Sequence, residues 1–159
     1  MREIEYKADL LAPLHEKILE FSCIHPSRIL EVLPEFIKED FRVTSTKFWE
    51  DEIKWDVTKE PIEFFGSWRG RDPKDERTDI WVFATAQGEQ TLKTKEGWVI
   101  IKLRGIITSK FPYSWRWGIH WAYMRLYYSK QRRWYMKEGR ERLDMLEDRI
   151  RKYFEVLRK

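Results

Sequence analysis

Residues 135–159 read YMKEGRERLDMLEDRIRKYFEVLRK. Met136, Gly139, Leu143, Leu146, Ile150, Tyr153 and Leu157 recur at alternating intervals of three and four, a single apolar stripe on an α-helix. Arg140, Glu141, Arg142, Glu147, Asp148, Arg149, Arg151 and Lys152 lie between the stripe positions and solvate the other side. Glu147–Arg151 and Asp148–Lys152 stand acid before base at i,i+4, worth ~0.3 kcal/mol each on an exposed face. A helix this one-sided needs a broad apolar surface to lie on. The rest of the chain is patterned as a sheet that supplies one.

Working back from the helix, GWVIIKLRGIITSKF (97–111) is the cleanest strand. Val99, Ile101, Leu103, Gly105 and Ile107 share one face, and Lys102, Arg104 and Thr108 lie on the other. Ile53, Trp55 and Val57 alternate against Glu52, Lys54 and Asp56, and Ile62, Phe64, Gly66 and Trp68 follow Pro61 in the same rhythm. RGRDPKDERTD reads as a turn into IWVFATA, where Trp81 and Phe83 compete with Ile80 and Val82 for the inner side. Gln87-Gly88 reads as a second turn, and TLKTKEGW as a short strand and turn. At the start, Ile4, Tyr6, Ala8 and Leu10 alternate with Glu3, Glu5, Lys7 and Asp9 in a half-buried strand stopped by Pro13. Leu14, Ile18 and Phe21 then predict a short helix. Pro26 opens a second one carrying Ile29, Leu30 and Leu33, which Pro34 ends or kinks. The expectation is α+β, with about seven antiparallel strands, two short helices after the first strand, and the long helix last.

Residues 111–134, FPYSWRWGIHWAYMRLYYSKQRRW, are ambiguous: their aromatics favour strand, yet Trp117, Trp121, Met124 and Tyr128 fall at helical spacing. With seven strands already placed, a helix is expected, bending near Arg132 or Gly139 into the last one. One domain over 1–159 accommodates all of this.

Composition narrows the class. With 42% hydrophobic and 36% charged residues, the chain reads as neither disordered nor membrane-spanning. MREIEYKADLL lacks the shape of a signal peptide. A lone Cys23 excludes an internal disulfide and a cysteine-based zinc site, and fits a reducing cytoplasm. Asn is absent, Gln occurs three times, and charges of both signs abound, the composition of a hot-adapted protein. Charge is uneven: from Lys110 onward 14 basic residues face 6 acidic ones, net +8, and the preceding 17 basic and 21 acidic residues give −4.

The element order, carried by IEYKADLLAP, PSRILEVLPEFIK, GWVIIKLRGIIT and GRERLDMLEDRIRKYFEVL, resembles the helix-grip fold of the START and birch-pollen-allergen superfamily. That superfamily includes polyketide cyclase-like and lipid-carrier proteins. The resemblance covers most of the chain and implies a strongly curved sheet wrapping the last helix, with an apolar cavity between them. The chain departs from the pattern at Phe111–Trp134, about twenty basic aromatic residues ahead of the last helix.

Catalytic chemistry is hard to find. Gly66, Gly70 and Gly88 form no phosphate loop, no nucleophile elbow is present, and His15, His25 and His120 lie far apart. His15 and His25 read as surface or capping residues, His120 as an interfacial histidine, and Cys23 as a small buried hydrophobe. No catalytic residue, metal or cofactor is assigned, and an enzyme would rest on fold analogy alone. The expected function is to carry a hydrophobic or amphipathic small molecule between sheet and last helix. Trp55, Phe64, Trp68, Ile101, Leu103, Ile107, Met136 and Leu143 would line its site, with Ile53, Val57, Ile62 and Leu146 beside them. The alternative is a nucleic-acid-associated protein, in which Arg125, Lys130, Arg132, Arg133 and Lys137 hold phosphates while Tyr127, Tyr128, Trp134 and Tyr135 stack on bases. The same segment would also suit peripheral contact with an anionic membrane.

Overall fold

The computed structural model describes residues 3–112, 122 and 128–158, with the side chains of Ile4, Pro112 and Arg158 outside that description. Strands β1 (Glu3–Asp9) and β2 (Lys17–Ile24) come first, then a 3₁₀ turn (Pro26–Arg28) running into α1 (Ile29–Asp40). A second 3₁₀ turn (Ser45–Lys47) precedes β3 (Phe48–Asp56), β4 (Ile62–Pro73), β5 (Thr78–Gln90) and β6 (Glu96–Pro112), and α2 (Ser129–Arg158) follows. The fold is α+β: an antiparallel sheet of six strands with a long C-terminal helix against it, the helix-grip arrangement.

The sheet runs β1-β6-β5-β4-β3, and β2 also pairs with β6. β6 is 17 residues long and carries both early strands on one edge: β2 along 96–103 and β1 along 106–112. β5 alternates without a break, placing Ile80, Val82, Ala84 and Ala86 inward at no more than 1% exposure. Trp81 and Phe83 therefore point outward.

Three local expectations are corrected. Lys17–Ile24 is a strand and not a helix: Leu19 and Phe21 are buried against Ile101 and Val99, while Ile18 is 54% exposed. The helical spacing of Leu14, Ile18 and Phe21 loses to pairing along β6. β5 runs straight through Gln87-Gly88, so the turn comes at 91–95 and Phe41–Phe111 holds four strands, not six. Of the two early helices only α1 forms. Pro34 does not end it, because Ile29, Leu30, Leu33 and Ile37 keep one buried stripe across the proline.

Helix α2 buries Leu143, Leu146, Ile150 and Phe154 in the same core as the inner face of the sheet. Ion pairs gather along its middle stretch. Glu138 takes Lys74 at 3.0 Å and Arg142 at 2.6 Å, Glu147 takes Lys17 at 2.6 Å, and Arg149 reaches the buried Asp40 at 2.9 Å. Burial pushes Glu138 and Glu147 upward, but their cationic partners outweigh it and hold both below the usual carboxylate range. Burial raises Asp40, against the pull of Arg149.

Candidate functional site

The expected wall residues lie on the inner face, and most are packed solid. Phe64, Trp68, Ile101, Leu103, Ile107 and Leu143 are at most 2% exposed and belong to one core. The Trp68 ring crosses Gly66, where an added Cβ would meet Trp68 Cη2 at 2.4 Å and Leu30 at 2.8 Å. Leu10 fills the gap between β6 and α2: a Cβ at Gly105 would meet it at 2.5 Å and one at Gly139 at 2.8 Å. A ligand between sheet and helix at these positions would have to displace side chains. Met136 is half-buried at the margin of the core. Trp55 stands apart from the rest: it rests on Phe64 with ring centroids 6.0 Å apart and is 48% exposed. Ile53 and Val57 are exposed beside it.

The outer face has more to offer. Alternation places Trp49, Arg69, Phe83 and Arg104 opposite one another on β3, β4, β5 and β6, so rings and guanidinium groups alternate across the sheet. The Arg69 guanidinium lies 5.0 Å from the Trp49 ring centre and that of Arg104 6.0 Å from Phe83. One row on, Trp81 stacks with Trp49 at 5.7 Å and with Phe83 at 6.4 Å. Two shallow troughs of about 370 and 410 Å³ meet at Phe83. Their floor is Phe65, Trp81, Phe83, Ile100 and Ile106. The cations Lys7, Arg69, Arg71, Lys102, Arg104 and Lys110 outnumber the carboxylates Glu5, Glu16 and Asp79 by six to three. Carboxylates steady four of the six: Arg69 with Asp51 and Arg71 with Asp79, both at 3.1 Å, Arg104 with Asp9 at 3.5 Å, and Lys7 with Glu5 at 3.6 Å. Lys102 and Lys110 are exposed and make no ion pair among the described residues.

Of the basic aromatic segment, residues 113–121 and 123–127 lie outside the described residues, including Trp117, His120, Trp121, Met124, Arg125 and Tyr127. The described part opens α2, where Lys130, Arg133 and Lys137 are exposed and Trp134 is 62% exposed. Tyr128 and Tyr135 are buried. Tyr128 donates to the Asp75 carboxylate at 3.2 Å, and burial together with that charge pushes its hydroxyl up to about 12. Arg132 is half-buried; its Nε and Nη2 make no hydrogen bond among the described residues, and burial lowers its pKa. The described residues of the segment thus divide between packing and solvent.

His15 is exposed with Nδ1 3.4 Å from Asp9, and His25 precedes the first 3₁₀ turn in a left-handed conformation, φ 55°. Cys23 is half-buried on β2. Among the described residues no three His, Cys, Asp or Glu side chains gather to hold a metal. None of the described helices is long and apolar enough to cross a membrane.

No family model matches the chain, and no curated protein matches it. Among solved structures it is similar to a protein of unknown function, SA2116, from Staphylococcus aureus, at 12% identity and TM-score 0.31, covering 98% of this chain and 95% of that one. A putative uncharacterised protein from Rhizobium leguminosarum aligns at 8% identity and TM-score 0.21 over 94% of this chain and 99% of that chain. Ara h 8.0201 aligns at 9% identity and TM-score 0.21 over 82% and 98%.

The outer-face platform was not singled out from sequence, where Arg69 and Arg71 read as part of a solvated turn. The usable signal was the charge on Arg69, Lys102 and Arg104. It forces those positions outward and carries Phe83, the cross-strand neighbour of Arg69 and Arg104, with them.

Proposed function

We propose that the outer sheet face binds single-stranded nucleic acid. The observation that carries this reading is the alternating row Trp49–Arg69–Phe83–Arg104, set beside troughs in which cations outnumber carboxylates. Part-exposed rings on the outside of a sheet accept any base by stacking, and neighbouring cations follow the phosphates. Binding is therefore sequence-tolerant and weakens with salt. Lys102 and Lys110 supply the positive charge that no carboxylate has taken.

Fluorescence anisotropy with a labelled single-stranded oligonucleotide, run over a salt series, tests this. Lys102→Ala and Lys110→Ala should each flatten the slope of log affinity against log salt by about 0.7. Absence of binding near physiological salt, or an unchanged slope in both variants, contradicts the proposal. Anionic vesicles are the rival polyanion, and capture by them in place of the oligonucleotide would replace it.

Membership of the START and birch-pollen-allergen superfamily belongs to the same proposal and is supported by the grip of sheet on last helix. A carried hydrophobic molecule is the second function that this resemblance suggests, and it requires the core around Leu10 and Trp68 to open. A cytoplasmic setting and hot adaptation are proposed from the lone cysteine, the missing Asn and the many ion pairs.

A further inference from the structure

Strand β3 closes one edge of the sheet, and nothing among the described residues pairs with its outer side. Ile53 and Trp55 on it are 38% and 48% exposed, and Val57, one residue past its end, is 68% exposed. We propose that this edge pairs with a second copy of the chain, β3 against β3 antiparallel, about a twofold axis at Trp55.

The segment Ile53-Lys54-Trp55-Asp56-Val57 is self-complementary about its centre. Folded against itself, it sets Trp55 opposite the partner's Trp55, Ile53 opposite the partner's Val57, and Lys54 opposite the partner's Asp56. Residues directly opposite in an antiparallel pair share a face, with Cβ atoms about 4.5–5.5 Å apart. Ile53 and Trp55 sit over Gly66 and Phe64 on the inner side, and Lys54 over Phe65 on the outer side. The six apolar side chains therefore gather on one face of the joint and the two ion pairs on the other. In the single chain Lys54 reaches Glu52 at 2.6 Å and Asp56 accepts from Thr58, both exposed contacts that pairing replaces.

Neighbouring registers fail on charge or geometry. An axis at Lys54 or at Asp56 would put a like charge opposite itself. An axis at Ile53 would run into the bulge between Glu50 and Glu52, where β3 already departs from regular pairing. At Trp55 the pairing stays clear of the bulge, and Glu52 meets the partner's Thr58.

Sedimentation velocity on the whole chain at rising concentration tests the joint, with circular dichroism to verify the fold of each variant. The parent should approach twice its 19.7 kDa mass. Lys54→Glu, which opposes carboxylates at both ends, should return it to monomer. Lys54→Glu combined with Asp56→Lys, which reverses each pair, should restore the dimer. A parent that stays monomeric, a dimer indifferent to Lys54→Glu, or a folded double variant that remains monomeric would overturn the proposal.

Discussion

At the scale of single residues, the proposed binding surface centres on Phe83, where the two outer-face troughs meet. Phe83→Ala should leave the fold intact, since the ring faces outward, and weaken oligonucleotide binding by about 1–3 kcal/mol, the usual worth of one base stacked on a ring. Titration of the variant checks this, and an unchanged affinity would remove Phe83 from the platform. Gly105 is the corresponding residue for packing, because Leu10 and Leu143 stand where its side chain would go. Gly105→Val should cost about 1–3 kcal/mol in chemical denaturation, the range for overpacking. Orientation was the least legible feature here. Ile80, Trp81, Val82 and Phe83 are apolar on both parities, so period two within this strand cannot choose a side; in the structure Ala84 and Ala86 continue the buried parity of Ile80 and Val82. Trp55 shows the complementary problem. Its alternation with Ile53 and Val57 places it on the inner face, but alternation says nothing about whether another element covers that face at the edge.

Among the elements, α2 was the most legible, because its stripe repeats over six intervals and few other structures satisfy it. Leu146 is fully buried, and Leu146→Ala should cost about 2–5 kcal/mol in chemical denaturation. β2 was misread because one strand of eight residues holds apolar side chains at both helical and alternating spacing. A pair of variants separates the two descriptions. As a strand, β2 tolerates Ile18→Glu with a change in stability within about 0.5 kcal/mol, whereas Leu19→Glu puts an unpaired carboxylate in the core and should prevent folding. A helix buried through Leu14, Ile18 and Phe21 would show the reverse at Ile18. The strand count was overestimated for a related reason: Gln87-Gly88 has turn chemistry, but its neighbours in β4 and β6 keep it paired.

For the whole molecule, the long helix is bound to the sheet by charge as well as by burial, and this predicts a pH profile. Glu138 and Glu147 titrate below their ordinary 4.5 in the folded chain. Their contribution is therefore complete above that value and lost as pH falls through the lower folded ones. Lys17 is raised above 10.5: burial opposes the shift, but the bonds to Asp144 and Glu147 prevail. Its contribution is complete below 10.5 and lost as pH rises through the folded value. Asp40, raised by burial, acts against the other two carboxylates in acid. Thermal melts should accordingly hold steady between these limits and fall beyond each. The helix-grip architecture was legible from element order, whereas the candidate site was not, since a cavity is inferred by analogy and a platform depends on which side each strand turns outward. The most direct test of that platform is an amide chemical-shift map recorded while a single-stranded oligonucleotide is added to the isotope-labelled protein. The account predicts shifts concentrated at Arg69, Trp81, Phe83, Lys102 and Arg104, with Leu143 and Leu146 unmoved. Shifts confined to the inner core or to Lys130–Lys137, or no shifts at all, would contradict it.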